Sequence, residues 1–211
     1  MKNIKSIIFD FGGVICNIDH KRVERKFKEF GIIDFERMYS HALQNNLFEN
    51  LETGDISPAH FRNKIRELLD KNVSDSEIDD TWNAIISNIP EERIKLLVNI
   101  KKNYRIFLLS NSNIIHYQVY LKDFQKKYGY KSFDDIFEKA YFSFQIGMRK
   151  PNLNIYEHVL KNHNINPSET LFIDDSLQNI NPAKQLGIKT YLLKEKEEII
   201  NLFDNGKLKV N

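Results

Sequence analysis

Four short apolar runs set the rhythm of this chain: Ser6 to Phe9, Arg105 to Leu109, Thr170 to Ile173 and Lys189 to Leu193. Few polar residues interrupt them, which is the pattern of parallel strands buried on both faces. Lys139 to Ser143 is a weaker candidate. Amphipathic stretches lie between the runs. Pro90 to Asn103 carries Ile94, Leu97 and Val98; Asn152 to His163 carries Ile155, Val159 and Leu160; Ser176 to Leu186 carries Ile180, Ala183 and Leu186. Gly187 sits where a C-terminal cap belongs. Alternating strands and helices predict a doubly wound, Rossmann-like α/β fold with a mostly parallel sheet.

One interval breaks the alternation. A strand–helix–strand unit takes about 30 residues, yet the interval from Phe9 to Arg105 is about three times as long. Its apolar residues recur at helical spacing: Val23, Phe27 and Phe30, then Phe35, Met38, Ala42 and Leu43. Ser57-Pro58 is a cap with a first-turn proline, leading into Phe61, Ile65 and Leu68. Ser74 to Glu77 is a capping box leading into Ile78, Trp82 and Ile85. Residues 18–88 thus read as an inserted four-helix cap, and residues 1–17 with 89–211 as the α/β core.

Composition narrows the class. The chain has 211 residues, 41% hydrophobic and 28% charged, so it reads as one globular domain with an insertion. A net charge of +2 gives no ground for a nucleic-acid partner. The single cysteine, Cys16, cannot form an internal disulfide and reads as a small apolar filler. The first apolar run is broken by Lys5 and ends at Asp10, too short for a signal peptide or membrane span, so a cytoplasmic location without a membrane partner is expected. Neither His-Glu-x-x-His nor a glycine-rich nucleotide loop is present, so zinc hydrolysis and nucleotide binding of those kinds are unsupported.

Ligands of open α/β sheets bind at the C-terminal ends of the strands. Asp10-Phe-Gly-Gly-Val14 follows the first run and Ser110-Asn-Ser112 the second. Gly147-Met-Arg-Lys-Pro151 follows the weak candidate, and Asp174-Asp-Ser176 the third strong run. A parallel sheet gathers these on one edge: three carboxylates, a hydroxyl and at least one ammonium. Clustered carboxylates raise one another's pKa, a divalent cation removes the conflict, and hard oxygen ligands select magnesium. Magnesium beside a lysine suits a dianion, most simply phosphate. Each residue also has an ordinary structural use. Asp10 and Ser110 can be helix caps, Asp19 can cap the first inserted helix, and Lys150-Pro151 can be solvated charge before a first-turn proline.

The four segments resemble the four motifs of the haloacid dehalogenase superfamily of phosphohydrolases. Phe48 to Phe61 and Phe172 to Gly187 resemble a bacterial branch of sugar-phosphate phosphatases that includes the α-glucose-1-phosphate phosphatase group. The resemblance implies that Asp10 is a nucleophile that becomes an aspartyl-phosphate. It implies that Ser110 and Asn111 bind phosphate or substrate, and that Lys150 pairs with Asp10 and with phosphate charge. Asp174 and Asp175 are assigned to magnesium, with Asn179 as a hydrogen-bond partner behind them and Arg149 at the surface or the substrate edge.

Gly12 departs from the superfamily pattern, which usually places a second aspartate two residues after the nucleophile. Its carbonyl can still bind the metal, but the side-chain acid/base is missing. Asp19 or His20 can supply it. The expected activity is magnesium-dependent hydrolysis of a small phosphomonoester, a sugar phosphate, with the cap closing over it. Two alternatives keep the fold: a catalytically impaired phosphate-binding protein, and a carbon–halogen hydrolase. The adjacent acids at 174 and 175 argue against the second, because a metal-free enzyme has no use for them.

Overall fold

The computed structural model describes residues 3–29, 46–69 and 71–209. Five strands, β1 (Ser6–Phe9), β2 (Arg105–Ser110), β3 (Lys139–Phe142), β4 (Thr170–Asp174) and β5 (Lys189–Leu192), form one parallel sheet in the order β3-β2-β1-β4-β5. The strong apolar runs are strands, and so is the weak candidate at 139. Burial corrects one expectation. β5 is an edge strand and only half-buried along its length.

Alternate side chains feed two cores. Ile7, Phe9, Ile106, Leu108 and Ile173 face one side and pack with Leu97 and Ile100 of α5 (Glu91–Ile100) and Phe124 of α6 (Ile114–Tyr128). Ile8, Phe107, Leu109 and Phe172 face the other, against Ile155 and Val159 of α8 (Leu153–His163) and Ala183 of α9 (Leu177–Gln185). Burying such a side chain is worth roughly 1.5–3 kcal/mol. Gly187, with φ +79, ends α9: its N–H donates to the Lys184 carbonyl and that of Ile188 to the Ala183 carbonyl.

The long interval carries α1 (His20–Glu29), α2 (Leu47–Thr53), α3 (Pro58–Leu69) and α4 (Asp75–Trp82), then a single 3₁₀ turn at Asn83–Ile85. Ser57 Oγ accepts the His60 N–H, and Ser74 and Glu77 make the expected capping box. A third core joins Val23, Phe27, Phe48, Phe61, Ile65 and Ile78. The expected helix over Phe35, Met38, Ala42 and Leu43 lies outside the described residues, as does Phe30. Among the helices, α6 and the short α7 (Ser143–Ile146) went unforeseen, and α2 falls within the Phe48 to Phe61 segment. Ser110 is no helix cap; Asn113 caps α6 by accepting the His116 N–H. Pro151 is not a first-turn proline either, since α8 begins two residues later with Asn152 at its cap position. Among the described residues no helix is long and apolar enough to cross a membrane.

Candidate active site

Three adjacent strands end at one point. Asp10 follows β1 and is pinned there by its N–H, which donates to the Ile173 carbonyl at 2.9 Å. Asp174 is the last residue of β4 and fully buried; Ser110, also buried, is the last of β2. Lys150 arrives on the loop after β3 and α7. Its side chain is 1% exposed, and its ammonium lies 2.7 Å from Asp10 Oδ1 and 2.7 Å from Asp174 Oδ2, so it joins two carboxylates. Phe172 presents its ring face to the same ammonium at 5.5 Å.

Asn111 lines the cavity and also holds Lys150 in place. Its side-chain oxygen accepts the Lys150 N–H at 2.9 Å, and its amide donates to the Lys150 carbonyl at 2.8 Å. It braces the loop that carries the ammonium, with its side chain committed to main chain. Ser110 Oγ makes one long bond, 3.3 Å to the Asn111 carbonyl, and lines the cavity. Asn179 stands behind Asp174 as expected, 3.1 Å from both of its oxygens, and the Ser176 N–H adds a bond of 2.8 Å.

Asp10, Asp174 and Asp175 each offer an oxygen, all within 4.8 Å of one another. Against one ammonium this leaves two negative charges in excess. Burial pushes the Asp10 carboxyl up to about 7, against the pull of Lys150 and with a further rise from Asp174. Asp175 is also raised, by burial and by Asp174. Burial alone would lower the Lys150 ammonium, but Asp10 and Asp174 hold it above its ordinary value. Hard oxygens with an uncompensated double negative charge fit a divalent cation such as magnesium.

The loop after Asp10 is shaped for this. Ile15 and Cys16 both donate their N–H to the Phe11 carbonyl at 2.8 Å, closing a tight turn. Gly13 has φ +74, and a Cβ there would lie 2.0 Å from Asp175 Oδ2, so glycine alone lets Asp175 close over the turn. Gly12 is under no such constraint: its nearest neighbours would be Ile18 methyl groups at 3.6 Å. Cys16 is buried and its thiol is pushed up to about 12 by desolvation, which matches an inert filler.

Above the strand ends opens a cavity of about 850 Å³, lined by Asp10, Ser110 and Lys150 below and by Phe48, Glu52 and Trp82 from the inserted helices. Arg149, read from sequence as surface or substrate edge, instead crosses to α2. Its Nη1 lies 2.7 Å from Glu49 Oε1 and its Nε 3.1 Å from Glu52 Oε2, with the guanidinium side chain 19% exposed. Gly54, which ends α2 with φ +76, packs where a Cβ would meet the Phe144 carbonyl at 2.6 Å. Asp19 caps α1 by accepting the Lys21 N–H at 3.0 Å, whereas His20 lines the cavity. Trp82 stacks on Phe48 at 4.9 Å and on His116 at 5.4 Å. No local pattern marks Glu52, Trp82 or His116 individually as cavity residues, because each joins the cavity through tertiary packing.

Comparison with known proteins agrees with this geometry. A model of the haloacid dehalogenase-like hydrolases matches residues 4–187. The D-ribitol-5-phosphate phosphatase of Bacteroides thetaiotaomicron is 31% identical over 189 residues, covering 89% of this chain and 91% of that protein. A sesquiterpene phosphatase of Aspergillus oryzae is 28% identical over 193 residues, 87% of each chain. The crystal structure of a HAD family enzyme from B. thetaiotaomicron, in complex with magnesium and inorganic phosphate, matches with a TM-score of 0.84 and 39% identity, covering 95% of this chain and all of that one.

Proposed function

This chain belongs to the haloacid dehalogenase-like hydrolases, and from that premise we propose a magnesium-dependent phosphomonoester hydrolase acting on a small phosphorylated metabolite, a sugar or polyol phosphate. One observation carries the reading: the Asp10–Lys150–Asp174 bridge with Asp175 beside it. Three carboxylates with oxygens within 4.8 Å of one another suit a cation that an anionic substrate can share; a metal-free carbon–halogen hydrolase would have no use for the adjacent pair Asp174 and Asp175.

Asp10 attacks phosphorus through a carboxylate oxygen. The new P–O bond forms as the bond to the alcohol oxygen breaks, leaving an aspartyl-phosphate and an alkoxide that takes up a proton. Water then attacks phosphorus and returns Asp10 and inorganic phosphate. Lys150 favours the ionised form of Asp10 against the effect of burial and offsets charge on the transferring group. Ser110 Oγ is free to turn from its 3.3 Å bond and donate to a phosphate oxygen. Asp10, Asp174, Asp175 and the Gly12 carbonyl would hold magnesium, which supplies positive charge against the phosphate oxygens. Asn111 positions Lys150. Gly12 has no side chain with which to protonate the leaving oxygen. Of the two residues proposed in its place, Asp19 is committed to its helix cap and His20 remains. Residues 1–17 and 89–211 act as the core and 18–88 as the cap that encloses the substrate.

Phosphate release from nitrophenyl phosphate and a panel of sugar phosphates tests the reading. Turnover that requires both magnesium and Asp10 supports it. No release above the Asp10→Asn background on any ester would leave a phosphate-binding protein instead.

A further inference from the structure

The cavity has a second polar feature that phosphate chemistry does not use. His116, in the first turn of α6, lines it. Its Nδ1 lies 2.9 Å from Asn83 Oδ1, which can only accept, so Nδ1 carries the proton and Nε2 presents a lone pair. Among the described residues Nε2 has no partner. The ring cannot turn freely: it lies 13° from parallel with Trp82, which lies 7° from parallel with Phe48. Burial holds its imidazole down at about 3, so it stays neutral and accepting throughout the physiological range. Glu52 adds a second acceptor. One of its oxygens takes Arg149, and the other has no partner among the described residues.

A phosphomonoester dianion has no proton to offer such groups, and its oxygens are repelled by them. They therefore face the alcohol portion of the substrate and require a donor there. We propose that His116 is a specificity-determining residue whose Nε2 accepts a hydrogen bond from a substrate hydroxyl, so that the site selects polyol and sugar phosphates over alkyl phosphates of the same length. The proposal rests on the phosphatase reading. An ammonium group would also donate to these acceptors, so the test includes one.

Three esters with the same five-carbon primary alcohol frame separate the cases: D-ribitol 5-phosphate, pentyl phosphate and 5-aminopentyl phosphate. The readout is the ratio of kcat/KM between them, in the wild type, His116→Phe and Asn83→Ala. Phenylalanine keeps the stack on Trp82 and removes the acceptor. The wild type prefers ribitol phosphate over pentyl phosphate at least tenfold, and His116→Phe cuts that ratio by about tenfold or more, the worth of a hydrogen bond to a fixed, half-buried partner. Asn83→Ala, which touches no substrate but frees the tautomer, lowers the ratio several-fold and carries the test if His116→Phe does not fold. A merely structural role lowers both esters together and leaves the ratio unchanged, which overturns the proposal. So does a wild-type ratio near one, or a preference for aminopentyl phosphate. Failure of the wild type to hydrolyse any of the three above the Asp10→Asn background removes the phosphatase reading, and this proposal with it.

Discussion

Replacing Lys150 by methionine tests the electrostatics of the site apart from its chemistry. Methionine keeps the apolar stem and removes the ammonium. Wild-type Lys150 is 1% exposed and touches two carboxylates at 2.7 Å each, one of them fully buried. Breaking a buried pair by removing one partner strands the other, at about 3–5 kcal/mol. For a chain of this size that is about 6–20 °C in Tm, at roughly 2–4 °C per kcal/mol. Urea and thermal unfolding followed by circular dichroism at pH 7.5 would read the loss in the presence of a chelator. Saturating magnesium is expected to narrow the gap, because the cation supplies positive charge to the same carboxylates. Activity stays near background even then, since no group remains to pair with Asp10 and the phosphate. A loss below about 1 kcal/mol in chelator would refute the claim that Lys150 compensates these acids, because even an exposed pair is worth up to that much. A loss that magnesium leaves unchanged would refute the shared-charge argument.

Gly13→Ala forces a side chain into a φ of +74 and onto Asp175 Oδ2; a stability loss of about 1–3 kcal/mol and magnesium binding weakened roughly tenfold are expected by calorimetry, and wild-type affinity would contradict the placement of Asp175. Arg149→Met leaves Glu49 and Glu52 without their guanidinium; we expect a loss of about 1–3 kcal/mol in urea and a raised KM, and an unaltered KM would show that α2 keeps its place without the bridge. For His116, the unfolded imidazole takes up a proton below about 6.5, whereas the folded one resists until about 3. Its contribution to stability is therefore full above pH 6.5 and is lost as pH falls through that window, at up to about 1.4 kcal/mol per unit. The gap between wild type and His116→Phe in urea midpoint should shrink between pH 7.5 and pH 5, and a constant gap would count against a half-buried ring that stays neutral in the folded state.

What could be read from the sequence was local. A strand buried on both faces must be apolar throughout, so β1, β2 and β4 announce themselves as runs, and Asp10, Ser110 and Asp174 stand out as the polar residues that end them. Capping chemistry is equally local: the Ser74–Glu77 box and Gly187 behave as their spacing requires. A parallel sheet then leaves no choice about which ends meet, so the carboxylate cluster follows from topology alone. The tertiary structure decided the rest. Arg149 finds Glu49 and Glu52 about a hundred positions earlier, His116 finds Asn83, and Asn111 spends its amide on the Lys150 backbone. Such pairs leave no periodic trace, because a charged or polar side chain satisfied by a distant partner looks, along the chain, like one satisfied by water. β5 shows the same limit from the apolar side: its run reads like a central strand, and only the strand order makes it an edge. Side-chain chemistry at strand ends is encoded within a few residues, whereas the walls of the cavity are set by packing between segments that share no local signal.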